Sequence, residues 1–361
     1  HLRFPEFSGE WNKYTINDLA TVVGGGTPDT TVKSYWGGDI QWFTPSEIGK
    51  NKYVDFSKRT ITRDGLDNSS AKLLPLHTIL LSSRATVGEC SIASNECTTN
   101  QGFQSLIAKQ CNIDFLYYLI QTKKKDLIRN ACGSTFLEIS ANEIRKIKVA
   151  VPVQNEQEQI AKLLSLIDER IATQNKIIEK LQSLIKGLAA QLTQSGTPNI
   201  RLCDCLECHS STLQENCVSV TGSYPVYGAT GLIGYTNNYA YNGESILIVK
   251  DGSGVGSLSY VNDHFSVIGT LNYLTAKENY SILYLYYALM AFNFTPYITG
   301  MAIPHIYFKD YGKAKLFYPS IEKRIRIASL LHNIEQKLVV EQNLVISLSA
   351  QKSYLLRMLF I

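Results

Sequence analysis

No apolar run in this chain approaches the ~20 residues a membrane-crossing helix requires, so a helical span is excluded by length alone. The start, His1 to Trp11, lacks the basic-then-apolar order of a leader, and the protein is expected in the cytoplasm. Cysteine is sparse too. Eight thiols scattered from Cys90 to Cys217 fall far below the density of a disulfide scaffold, and reduced thiols are expected. Two catalytic signatures are missing. With no Pro-Pro pair anywhere, the Asn/Asp-Pro-Pro-aromatic motif of a DNA amino-methyltransferase is excluded, and with no G-x-x-x-x-G-K-[ST] loop a translocating ATPase is disfavoured. The carboxylates form no recognisable catalytic constellation, and no cofactor is expected.

Charge is scarce as well: 18% of residues are charged and 45% are hydrophobic, which excludes a disordered chain and allows two packed domains. The net charge of +4 is unevenly spread. Residues 1–150 hold 18 basic and 15 acidic side chains, whereas residues 197–318 hold 6 and 8. Because phosphate neutralisation supplies most DNA affinity, a slightly acidic second segment argues against strong binding by the chain alone.

Two motifs invite a cofactor reading. Cys203, Cys205, Cys208 and His209 are zinc-ligand types, but C-x-C-x-x-C-H is not a standard knuckle and no second ligand pair follows; small apolar side chains in a strand is the favoured reading, and no metal is expected. Lys250-Asp251-Gly252-Ser253-Gly254-Val255-Gly256 suggests a dinucleotide loop, yet that fingerprint requires a helix starting in the loop. Here Ser257–Val261 reads as another strand.

What the chain does contain is an internal repeat. Ile79–Gly88 resembles Ile246–Gly256, and Ile160-Ala161-Lys162-Leu163-Leu164 resembles Ile327-Ala328-Ser329-Leu330-Leu331, both at an offset of 167 residues. Within each copy, short β-rich runs (Thr78–Leu81, Ser105–Ala108; Ser245–Val249, Leu271–Thr275) alternate with turn residues. The apolar stretches Phe115–Ile120 and Ile282–Ala291 read as helices. Two divergent α+β domains are therefore expected, differing most near their starts.

Each copy ends in a heptad. Ile160, Leu164, Ile167, Ile171, Gln174, Ile178, Leu181, Ile185, Leu188 and Leu192 follow 4-3 spacing, and so do Ile327, Leu331, Ile334, Leu338, Glu341, Val345, Leu348, Lys352, Leu355 and Leu359. A sustained 3.5-residue period keeps one helix in register against another. Antiparallel pairing is the topology that spares the second domain from spanning a whole helix. At ~1.5 Å per residue the seam runs about 50 Å, roughly one to one and a half turns of DNA. Gln174 and Glu341, at equivalent seam positions, are expected to fix register.

The segments are thus a first domain over 1–150, a helix over 151–196, a second domain over 197–318 and a second helix over 319–361. This order resembles the specificity subunits of type I restriction-modification enzymes. The resemblance rests on Leu2–Trp11, Gly24–Pro28, Tyr35–Trp42, Pro152–Ile160 and the ending Leu356–Ile361. It implies an α+β fold of two target-recognition domains separated by a long antiparallel two-helix coiled coil with a pseudo-two-fold. It also implies a non-catalytic subunit that binds a bipartite site on double-stranded DNA and docks two modification (methyltransferase) subunits and restriction subunits. Arg201–Leu206 departs from the Leu-Gly-Asp-like opening expected of the second copy. A non-DNA coiled-coil scaffold with protein-binding end domains is the alternative.

DNA-contact candidates follow from residue type and place. Arg84 and Lys250 are the first long cations after equivalent strands, and Thr86 and Ser253 offer hydroxyls from the same turns. Lys123, Lys124, Lys125 and Arg129 are expected to close a helix. Arg145, Lys146 and Lys148, with Lys309, Lys313 and Lys315, are read as lining strand approaches to the long helices. Gly133-Ser134-Thr135 and Gly300-Met301-Ala302 are candidate recognition loops.

Overall fold

The computed structural model describes residues 2–133 and 137–360. It divides into two compact units, His1–Gln174 with Leu344–Ile361, and Asn175–Asn343. Each unit therefore holds one head and one half of each long helix, Gln154–Thr193 and Ile321–Leu359. The sequence segments treat the helices as separate pieces; the packing divides both at mid-length.

In the first unit a five-stranded sheet runs Ala20–Gly24, Gln104–Ala108, Ile79–Leu81, Cys90–Ala93, Tyr53–Val54, antiparallel except for the last, parallel pair. The second unit repeats this order as Leu206–Ser210, Leu271–Ala276, Tyr241–Val249, Leu258–Val267, Tyr224–Gly228, again with a parallel last pair, and adds Gly231–Thr236 outside it. Each head also closes on a two-stranded ladder just before its long helix, Asn12–Thr15 with Lys148–Val151 and Ile200–Arg201 with Lys315–Leu316. The extra length near the start of the first copy builds a sheet of Arg59–Ile61, Trp36–Phe43 and Cys97–Thr99 that has no counterpart among the described strands of the second.

Both faces of the central strands are buried, which explains why they read as continuous apolar runs. Ile79 and Leu81 face the helix Ile113–Thr122 in one core, while Leu80 joins Phe43, Ala93 and Phe103 in another. In the second unit Ile246 and Ile248 pack with the helix Ile282–Met290, while Leu247 and Val249 pack with Phe265 and Val267.

The long helices pair antiparallel within each unit. At the first head, Ile160 and Leu164 share a core with Leu355, Leu356 and Leu359, and Lys352 Nζ lies 2.7 Å from Asp168. At the second, Leu188, Ala189 and Leu192 share a core with Ile327, Ala328 and Leu331. Along the heptad, Ile160, Leu164, Ile167, Gln174, Ile185, Ile327, Leu331, Glu341 and Leu359 are buried and the other eleven positions are half-buried.

Tyrosines fasten heads to helices at matching places. The Tyr118 hydroxyl donates to Asp168 (2.7 Å), and the Tyr286 and Tyr287 hydroxyls donate to Glu335 (2.9 and 2.7 Å); 168 and 335 are 167 residues apart.

Candidate nucleic-acid interface

The turn after Ile79–Leu81 and the turn after Tyr241–Val249 are built alike, and each is held by a second segment from later in its unit. Ala85 N–H donates to Leu137 O and Ile139 N–H to Ser83 O; in the second unit Gly252 N–H donates to Pro304 O and Ile306 N–H to Lys250 O. The later segment is itself a two-bond ladder, Cys132 with Glu138 and Thr299 with His305. Every one of these positions obeys the 167-residue offset. Ile139 and Ile306, each about 1% exposed, anchor the segments to the core, so that by strand alternation Glu138 and His305 face away from it.

Backbone strain sits at the same point. Ala85 adopts φ +62°, in the left-handed region a side chain disfavours, and its counterpart is Gly252 at +98°. The second turn is one residue longer, since Gly88 N–H returns to Ser82 O whereas Gly256 N–H returns to Val249 O.

This register corrects the pairing of cations. Lys250 takes the place of Ser83, while Arg84 takes the place of Asp251. Arg84 is tied to Glu138 through Nε (3.0 Å) and Nη2 (2.7 Å), both on Oε2, with each side chain over 40% exposed. Thr86 is exposed, and its hydroxyl lies 2.9 Å from that of Ser82; Ser253 is exposed in its glycine turn. Gly252–Gly256 joins two antiparallel strands, so no helix N-terminus is present to hold a pyrophosphate.

The other candidates are distributed differently from the sequence expectation. The lysine run does not close a single helix: Lys123 ends Ile113–Thr122 at φ −88°, ψ 6°, and Lys124 opens a new helix ending at Arg129. A cation in a first turn opposes the helix dipole; Lys124 instead pairs with Glu89, and Arg129 pairs with Asp126. Arg145 and Lys146 lie in the last turn of Ala141–Lys146 rather than on a strand, bonded to Asn142 and Glu143, with Arg145 also donating to Val22 O. Lys309 sits in the short helix Phe308–Tyr311, over the Tyr307 ring at 5.0 Å, and Lys313 is exposed just after it. Only Lys148 and Lys315 belong to the strands. Of the candidate loops, Ser134 and Thr135 lie outside the described residues; Met301 is fully exposed beside Gly300 at φ +89°.

Cys203 and Cys205 belong to a helical turn, Leu202–Cys205, and not to a strand; Cys208 and His209 are on the strand that follows. Burial pushes the Cys205 thiol up to about 12 and the Cys208 thiol up to about 11, which disfavours the thiolates a metal needs.

Sequence reasoning missed Glu138, Asp251 and His305. The repeat offset carried the signal, since it makes 305 the equivalent of 138 and 251 the equivalent of 84. It also missed Arg59, whose guanidinium lies 3.6 Å from the centroid of the Trp36 ring in the sheet peculiar to the first unit.

Two similar heads, each carrying a two-loop platform and each packed on halves of two antiparallel helices, define a class of duplicated α+β proteins. Residues 8–183 and 200–348 match the family described as Type I restriction modification DNA specificity domain, and the chain belongs to that family of specificity subunits. It is 39% identical over 183 residues to the type I restriction enzyme MjaIX specificity subunit of Methanocaldococcus jannaschii, covering 48% of this chain and 42% of that relative. It is 25% identical over 361 residues to the EcoprrI specificity subunit of Escherichia coli, covering 90% of this chain and 87% of that relative. The fold is shared with the S subunit of a type I restriction-modification system from M. genitalium, at TM-score 0.66 and 18% identity, covering 99% and 98% of the two chains.

Proposed function

We propose that this chain is the DNA-reading, non-catalytic subunit of a type I restriction-modification complex, each unit contacting one half of an asymmetric, split site on double-stranded DNA. One observation carries the reading. The loop platform is built twice on the same backbone register, yet the side chains it presents differ, with Arg84 and Glu138 in one copy and Asp251 and His305 in the other. A common backbone with unlike side chains is what a protein needs to read two different half-sites in one manner.

Docking of modification and restriction subunits would fall to the long helices. The second carries exposed apolar side chains, including Ile321, Ile325, Val340 and Ile346, beyond what its own seam uses. Among the described residues no helix is long and apolar enough to cross a membrane.

The test is co-expression with modification subunits, followed by sequencing of methylated bases. A split, asymmetric motif is expected, and replacing residues 197–318 with those of a relative should change one half of it alone. Methylation indifferent to that exchange would favour the scaffold reading instead.

A further inference from the structure

Resting on that DNA-reading assignment, we infer that one cross-loop pair per unit, Arg84 with Glu138 and Asp251 with His305, reads a base pair at the equivalent position of each half-site. The backbone makes the pairs equivalent. Arg84 stands opposite Glu138, and Asp251 opposite His305, each flanked on both sides by the inter-loop hydrogen bonds. That is a non-hydrogen-bonded antiparallel pair, the arrangement in which opposed side chains come closest and leave the ladder on the same face. Their neighbours Ser83 and Ile139 are buried, which leaves Arg84 and Glu138 on the solvent side.

The chemistry of the two pairs differs in a readable way. In the major groove a G·C pair presents two acceptors, N7 and O6, beside the amino group of cytosine. Arg84 supplies donors to the first and Glu138 an acceptor to the second. Both existing contacts end on Glu138 Oε2, so that among the described residues Oε1 and Arg84 Nη1 are left for a ligand. In the second unit the ring nitrogen Nδ1 of His305 lies 3.1 Å from the Ile303 carbonyl, which can only accept. Nδ1 therefore carries a proton, and in the corresponding neutral tautomer Nε2 is an acceptor. In that tautomer the pair of Asp251 carboxylate and His305 Nε2 offers acceptors only. It fits a base with an exposed amino group, adenine or cytosine, and not the acceptor edge of guanine.

The alternative, an ion pair that merely ties two loops, is separable by exchanging the charges. In the complex with its modification subunits, Arg84→Glu combined with Glu138→Arg keeps the tie and reverses donor and acceptor. Methylated sites in a randomised plasmid library then report the motif. The expected result is a changed base at one position in one half, with the other half intact and the original base disfavoured about ten- to hundred-fold. A motif identical to wild type overturns the pair assignment while leaving the DNA-reading assignment standing; a wild-type complex that methylates no split motif removes both. Should the exchanged complex methylate nothing, Glu138→Gln decides through competition between the cognate duplex and duplexes substituted at one base pair at a time across both half-sites. A reduced preference at one position of one half supports base reading, and an equal loss on all duplexes overturns it.

Discussion

Tyr118 shows how one side chain ties a head to its helix and makes that tie depend on pH. Burial and then the Asp168 charge hold its hydroxyl well above the ordinary tyrosine value of 10.0. A proton held more tightly in the folded than in the unfolded chain stabilises the fold fully below the unfolded value, and that stabilisation is lost as pH rises through the folded one. Tyr118→Phe should therefore lower stability by about 1 kcal/mol near neutrality, the worth of one hydrogen bond. It should also flatten the decline that wild type suffers above a pH of about 10. Urea midpoints at pH 8 and pH 11, compared between the two proteins, check both signs. At this scale the sequence was only partly informative. Arg84 was visible as a turn cation, but Glu138 sits 54 positions away and nothing in its own neighbourhood marks it as a partner. Lys250 and Arg84 match as the first long cation of equivalent turns; the hydrogen-bond register makes Lys250 the counterpart of Ser83 and Asp251 that of Arg84.

At the level of elements, periodicity was the most legible feature, because a 3.5-residue repeat is a direct imprint of one helix on another. None of the twenty heptad positions is exposed. What periodicity could not show is how each helix is divided: its halves are buried in different cores, with Ile160 and Leu164 in one and Leu188 and Ala189 in the other. Short elements were less legible. The break at Lys123 and the helical turn at Leu202–Cys205 are too brief to leave a period; the second buries Leu202 and Cys205. The polar seam residue Gln174 is buried, and its Oε1 has no hydrogen-bond partner among the described residues. An unsatisfied buried carbonyl costs about 1–3 kcal/mol. Gln174→Leu should accordingly raise the stability of the first unit by about 1 kcal/mol after side-chain repacking, read as an increased urea midpoint. A fall would mean that the amide stabilises that stretch of the seam in a way its hydrogen bonding does not reveal.

For the molecule as a whole, charge limits the affinity that the proposed DNA reader can reach unaided. Residues 197–318 carry more acidic than basic side chains, and residues 1–150 exceed neutrality by only three. Several of the cations are moreover committed to internal partners, Lys124 to Glu89 and Lys146 to Glu143 among them. Few phosphates can then be neutralised by this chain alone, so its isolated affinity for duplex DNA should be weak and only shallowly dependent on salt. Since log K falls with log salt by about 0.9 for each phosphate neutralised, a complex with modification subunits should show the steeper slope. Lys313, exposed just after the helix Phe308–Tyr311 and outside the proposed reading pair, suits a phosphate contact. Lys313→Ala in that complex should weaken cognate and unrelated duplexes by the same factor and reduce the slope by about 0.9. Binding of the two duplexes across a salt series measures it. A loss confined to the cognate duplex would instead move Lys313 among the residues that read bases.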